Sequence, residues 1–170
     1  MKVFITGGTG YVGSVLVERL VADGHEVAAL ARSEASAQAL QTAGARPVRG
    51  SLADTATLRE AAAASDAVVH AAVDYAMTPE SSAVELDAVR ALAEGAASGY
   101  AATALSGDPD AATPVIYTST GLVYGFDPAQ DTAEDAELPG LSAQPVKAQA
   151  ERVLLEAHGI TPIVMRAGLV

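Results

Sequence analysis

Residues Thr6–Gly13 read Thr-Gly-Gly-Thr-Gly-Tyr-Val-Gly, with glycines 7, 10 and 13 at three-residue steps. They follow an apolar run, Val3-Phe4-Ile5. They precede a pattern that puts Val12, Leu16 and Leu20 on one helical face. Glycines at this spacing also occur in turns that bind nothing. The order strand, glycine turn, helix favours the opening of a βαβ unit whose turn receives a dinucleotide. Gly7 allows a tight turn that a Cβ would block. Gly10 lets the backbone approach a pyrophosphate, whose charge meets free N–H groups at a helix N-terminus. Gly13 lets the helix lie close to the strand. Thr9, Tyr11 and Val12 fill the rest of the loop and are expected beside the same ligand.

Apolar runs alternate with helical patterns through the rest of the chain. Strands are expected at Lys2–Thr6, Glu26–Ala31, Arg46–Arg49, Ala67–His70, Pro114–Thr118 and Thr161–Arg166. Helices are expected at Tyr11–Ala22, Glu34–Thr42, Thr55–Ala63, Ser82–Ala97 and Pro145–His158. Six short apolar strands joined by crossovers imply an α/β fold with a parallel, doubly wound sheet covered on both faces. Residues 1–170 suit one such three-layer Rossmann domain. Two segments read as irregular. Gly99–Thr113 is rich in Ala, Gly, Asp and Ser and reads as a surface loop. Phe126–Gln144 is acidic and broken by Pro128, Pro139 and Gly140. It follows the carboxyl end of a strand, where open α/β sheets bind ligands, although plain solvation is its simpler reading.

The charge narrows the partners. With 10 basic and 21 acidic residues the formal charge is −11. That argues against a general binder of nucleic acid or anionic membranes, which needs a basic footprint. The chain has no cysteine, so thiolate chemistry and zinc–cysteine sites are excluded, and no metal site is expected. No apolar run approaches the roughly 18 residues that span a bilayer. The N-terminus enters a strand without a basic leader, so a cytoplasmic location is expected.

Five blocks in order resemble the short-chain dehydrogenase/reductase superfamily, in its extended or atypical NAD(P)-dependent epimerase/dehydratase branch. They are Thr6–Gly13, the Val-Val-His-Ala-Ala of Val68–Ala72, the Ile-Tyr-Thr-Ser-Thr-Gly-Leu-Val-Tyr-Gly of Ile116–Gly125, the Lys-x-x-x-Glu of Lys147–Glu151, and the Met-Arg-Ala-Gly-Leu-Val of Met165–Val170. The resemblance covers nearly the whole chain. Such proteins run to about twice this length with a C-terminal substrate domain, so these residues correspond to the nucleotide-binding portion. The resemblance also makes homodimers an expected assembly, with no contact face marked in the sequence.

Cofactor choice is read at the end of the second strand. An acidic residue there bonds the ribose hydroxyls of NAD and repels a 2′-phosphate. Here the residues are Ala31-Arg32-Ser33. Arg32 can pair with a phosphate and Ser33 adds a hydroxyl, so NADP(H) is expected over NAD(H). A solvated surface arginine is the plainer alternative. The resemblance places an aspartate after the third strand, near the adenine, where this chain has Ser51, followed by Leu52 as an apolar wall. The backbone of His70–Val73, including Ala71 and Ala72, would line the cofactor on the other side. His70 itself reads as a packed strand-end residue.

Hydride-transfer members of the family use a Ser or Thr, a Tyr and a Lys. The lysine grips the nicotinamide ribose and eases ionisation of the phenol, whose ordinary pKa is about 10. Counting back four from Tyr124 gives Thr120 as the matching hydroxyl, with Ser119 as runner-up; a strand-end hydrogen bond or helix cap is the structural alternative for both. Lys147 matches the family lysine, or else is a helix-surface partner of Glu151 at i,i+4. The tyrosine should stand four residues before that lysine, at Ala143. Alanine transfers no proton, and positioned acid–base catalysis contributes typically about 10²–10⁴-fold. Tyr75, Tyr124 and Ser142 are the candidate substitutes. Ala167 stands where the family commonly has a proline near the nicotinamide. Two functions follow: an oxidoreductase on a small carbonyl, alcohol or sugar-like substrate, or a dinucleotide-binding module without turnover.

Overall fold

The computed structural model describes residues 1–73, 78–103, 112–125, 133–134, 136, 138 and 142–168. Strands β1 (Lys2–Thr6), β2 (Glu26–Ala31), β3 (Arg46–Arg49), β4 (Ala67–His70), β5 (Thr113–Thr120) and β6 (Ile160–Ala167) alternate with helices. These are α1 (Tyr11–Ala22), α2 (Glu34–Thr42), α3 (Thr55–Ala63), α4 (Pro79–Thr103) and α5 (Pro145–Leu155), with a short 3₁₀ turn at Gly121–Tyr124 after β5. The six strands pair in the order β3-β2-β1-β4-β5-β6, all parallel. This is a doubly wound Rossmann-type sheet. The order reverses between β1 and β4, and the crevice at their carboxyl ends is where such sheets receive a ligand.

The two faces of the sheet are built by alternation. On β1, Val3 and Ile5 join Val17, Val27, Ala29, Leu40 and Val69 in one buried cluster, which α1 and α2 cover. Phe4 joins Val68, Val115, Tyr117, Leu92 and Leu154 in the other, beneath α3, α4 and α5. Successive side chains of a strand point to opposite faces, so near-continuous apolar strands are what a doubly covered sheet requires. The second face is complete. On the first, β5 and β6 carry no helix among the described residues. Ile116 and Thr118 of β5 pair with Ile163 and Met165 of β6 on that side. Ile163 is 40% exposed and Met165 58%.

Two expectations change at the helices. The segment from Gly99 does not begin as a loop, because α4 continues to Thr103. The glycines are packing positions. A Cβ on Gly95 would stand 2.4 Å from the Arg59 carbonyl oxygen, and one on Gly99 2.3 Å from that of Ala63. Four residues apart, they share a helix face and let α4 run against α3. Thr113 likewise belongs to β5. Conversely, α5 ends at Leu155 instead of His158, with Glu156 as its C-cap.

Candidate cofactor and active site

The glycine segment turns from β1 into α1 at the crevice. Gly7 has φ +75°, and a Cβ there would lie 2.5 Å from the Ala72 nitrogen. A Cβ on Gly13 would stand 2.1 Å from the Gly7 carbonyl oxygen, so the helix rests on the turn itself. Gly10 is the N-cap of α1 and offers no side chain to the first turn. The first intrahelical bond runs from Ser14 N to Gly10 O at 2.9 Å. The N–H groups of Tyr11, Val12 and Gly13 precede it and lack intrahelical acceptors. Thr9, Gly10, Tyr11 and Val12 are exposed. A bare, accessible helix N-terminus with no capping side chain fits the pyrophosphate of a dinucleotide. Ala71 and Ala72 form the facing wall, with Ala71 N bonded to Thr6 O at 3.1 Å.

The second and third strands end beside this loop. Ala31 is buried, while Arg32 and Ser33 are exposed. Arg32 makes no ion pair among the described residues. The nearest acidic residue in sequence, Glu34, is held by Arg49 across from it. The Ser33 hydroxyl is engaged as the N-cap of α2, accepting from Ser36 N at 3.1 Å in a reciprocal capping box. Ser51 donates both its N–H, at 2.6 Å, and its hydroxyl, at 2.8 Å, to Asp54 Oδ2. These bonds from the Ser51 backbone and side chain hold the Asp54 carboxyl below its ordinary range. A carboxylate therefore does stand in this turn, three residues later than the resemblance places it. Leu52 packs against the core beneath.

A polar row crosses the sheet on its α4 side. Thr6, His70 and Tyr117 are register neighbours on β1, β4 and β5. The Thr6 hydroxyl meets His70 Nδ1 at 2.5 Å, and all three side chains are buried. His70 is thus the packed strand-end residue expected. Above the row sits Glu85 of α4. Its Oε1 accepts from the Tyr117 hydroxyl at 2.7 Å and from Lys147 Nζ at 3.2 Å. Its Oε2 faces His70 Nε2 at 3.5 Å, and neither atom has a hydrogen-bond partner among the described residues. Burial pushes the Glu85 carboxyl up, but the His70 imidazole, the Lys147 ammonium and the Tyr117 hydroxyl outweigh it and hold it at about 2. Burial, reinforced by the Glu85 charge and hydrogen bond, pushes the Tyr117 phenol far up. That phenol cannot serve as a base near neutrality.

Lys147 is therefore not a surface partner of Glu151. Besides Glu85, it donates to the Thr118 carbonyl at 3.2 Å and lies 4.5 Å from the Tyr117 ring centroid. Glu151 has a different partner. It is buried, bonded to both Nε (3.1 Å) and Nη2 (2.9 Å) of Arg166, and accepts from the Ser119 hydroxyl. Hydrogen bonds to Glu151 raise the pKa of the Arg166 guanidinium further. Ser119 is thus buried against α5, whereas Thr120 sits half-buried on the opposite side of the strand and caps the 3₁₀ turn through Leu122 N at 3.3 Å.

The candidate substitutes for the missing phenol are differently placed. The Tyr124 hydroxyl accepts from Arg166 Nη1 at 2.6 Å and donates to the Ala133 carbonyl at 3.0 Å. Ser142 accepts from Gln144 N at 3.0 Å, next to exposed Ala143. Tyr75 and most of 126–141 lie outside the described residues. Among the described residues there is no cluster of three metal-ligating side chains, and no helix is long and apolar enough to cross a membrane.

Residues 3–168 match the sequence profile of the NAD dependent epimerase/dehydratase family. The chain belongs to that family. A 4-hydroxy-2-methyl-3-oxo-4-farnesyl-3,4-dihydroquinoline-1-oxide ketoreductase of Stigmatella aurantiaca is 37% identical over 98% of this chain and 49% of its own length. A decarboxylating sterol-4-alpha-carboxylate 3-dehydrogenase of Dictyostelium discoideum is 43% identical over 47% of this chain and 24% of its own. The chain spans half or less of these relatives. Solved structures share the fold. WbmH of Bordetella bronchiseptica, in complex with NAD+, superposes with a TM-score of 0.74 at 24% identity, over 97% of this chain and 55% of that one. UDP-glucose 4-epimerase of Bifidobacterium longum, with NAD+ and UDP, gives 0.76 at 19% identity, over 98% and 52%.

Proposed function

We propose that this epimerase/dehydratase-family chain is the cofactor-binding portion of an NADP(H)-dependent oxidoreductase acting on a small carbonyl, alcohol or sugar-like substrate. The observation that carries the cofactor preference is the end of β2. A buried alanine replaces the acidic residue that reads NAD, and the exposed guanidinium of Arg32 beside it has no carboxylate partner among the described residues. The reductase and dehydrogenase names of the relatives support redox chemistry, and the neighbours that hold NAD+ support a nicotinamide dinucleotide.

In this reading the nicotinamide, when bound, supplies or accepts the hydride. The N-terminus of α1 binds the pyrophosphate, Arg32 the 2′-phosphate, and Lys147 the nicotinamide ribose. Thr120 orients the substrate oxygen. Ala143 favours a second reading, a dinucleotide-binding module without turnover, because no phenol stands before Lys147.

Fluorescence titration with NADPH and NADH tests the proposal. Arg32→Ala should weaken NADPH by about 10–100-fold, the worth of hydrogen bonds to a charged group, and leave NADH unchanged. Equal affinities, or an indifferent mutant, would refute the preference. Saturable binding of neither nucleotide by the folded chain would refute cofactor binding itself. Hydride transfer from bound NADPH to a carbonyl panel separates the enzyme from the binding module.

A further inference from the structure

Glu85 is the one buried acidic side chain facing Lys147 among the described residues, and no family block in the sequence contains it. It occupies a position where the packing asks for something apolar. Residues Ala88, Val89, Leu92 and Ala96 follow it at helical spacing, and all are buried under the sheet. A carboxylate on such a stripe is costly unless paired. Here three groups from β4, β5 and α5 converge on it: His70, Tyr117 and Lys147.

The consequence for Lys147 is geometric. An ammonium has three donors. One is spent on Glu85 Oε1 and one on the Thr118 carbonyl, and the side chain is only 12% exposed. We propose that Glu85 is the positioning residue of Lys147. Its carboxylate fixes the ammonium at the carboxyl edge of β5 and leaves one N–H for the ribose hydroxyls of a bound nicotinamide cofactor. The ribose half of this statement rests on the cofactor reading above; the anchoring half does not. Lys147 is charge-paired and held before any ligand arrives, which suits a binding group. Glu85 itself acts only through it.

The chain offers a clean test, because Lys2 and Lys147 are its only lysines and Lys2 is exposed. Timed acetylation of the full chain, read by mass spectrometry, gives Lys147 against Lys2 as an internal standard. Acetylation needs an accessible amine, and Lys147 is 12% exposed and committed to Glu85 and the Thr118 carbonyl, whereas Lys2 is exposed. In the wild type Lys147 should react severalfold more slowly than Lys2, and Glu85→Gln, which removes the charged anchor, should speed Lys147 severalfold relative to Lys2. Equal rates in the wild type overturn the anchor whether or not the variant folds. So does an unchanged Lys147 rate in a folded Glu85→Gln protein. NADPH should slow Lys147 further without affecting Lys2. Saturable NADPH binding that leaves the Lys147 rate unchanged overturns the ribose contact alone. In a binding cycle, Glu85→Gln should weaken NADPH in the wild-type background and have no further effect in Lys147→Ala. An equal loss in both backgrounds refutes action through Lys147. If neither nucleotide binds at all, the cofactor reading fails while the labelling contrast still decides the anchor.

Discussion

Acid should erode the hold of Glu85 on the fold in a way that can be measured by difference. Its folded pKa is depressed to about 2 from an ordinary 4.5. A carboxyl lowered in this way stabilises the fold fully above its unfolded pKa, and the contribution is lost as pH falls through the folded one. One pKa unit is worth about 1.4 kcal/mol, so the whole contribution is about 3 kcal/mol, most of it in place at about pH 5. At about pH 3 the unfolded chain takes up the proton while the folded one mostly does not, and about 2 kcal/mol of it has gone. Other carboxyls titrate equally in wild type and Glu85→Gln. Urea unfolding of the two proteins should therefore show a stability gap at about pH 5 that narrows by about 2 kcal/mol at about pH 3. A gap that holds constant or widens would refute the reasoning, because the carboxylate would not be held by its cationic neighbours.

Arg166→Ala should be among the most destabilising single changes. It strands the Glu151 carboxylate, 1% exposed, with only the Ser119 hydroxyl, and breaking a buried pair from one side costs about 3–5 kcal/mol. Urea midpoints would show it, and the double variant Arg166→Met/Glu151→Leu should recover much of the loss. Gly13→Ala places a methyl 2.1 Å from the Gly7 oxygen, so α1 must shift. A loss of about 1–3 kcal/mol in thermal unfolding, as for other overpacked sites, should accompany weakened nucleotide binding. Unaltered nucleotide affinity in a stable Gly13→Ala protein would mean that the turn does not form the cradle.

The fold was largely legible because local signals and the sheet agreed. Strands β1–β4 and helices α1–α3 fall where hydrophobic periodicity and glycine stops put them. The C-terminal end of α4 was not legible. The glycine and alanines from Gly99 to Thr103 resemble loop composition, yet Gly99, like Gly95 one turn earlier, is there because α3 leaves no room for a side chain. Only a partner helix distinguishes the two. The glycine cradle was legible for the same reason that the strands were: its elements are contiguous. The polar row was not, since Glu85 lies 62 residues from Lys147 and pairs with it only through folding. Its one trace in sequence is a glutamate standing in line with Ala88, Val89 and Leu92. Arg166 and Glu151 both stand in family-like blocks, but nothing in their spacing tells that they face one another.

The uneven covering of the sheet among the described residues makes ionic strength a variable worth testing on this chain. Ile163 and Met165 leave exposed apolar surface on β6, the outer strand of the sheet among the described residues. The formal charge of −11 works against adhesion by keeping like molecules apart. That repulsion reaches about 10 Å at 0.1 M salt and about 3 Å at 1 M. Light scattering of the isolated chain should therefore show dispersed molecules in dilute buffer and growing association in concentrated salt; a size independent of salt would mean that the exposed apolar flank is too small to matter.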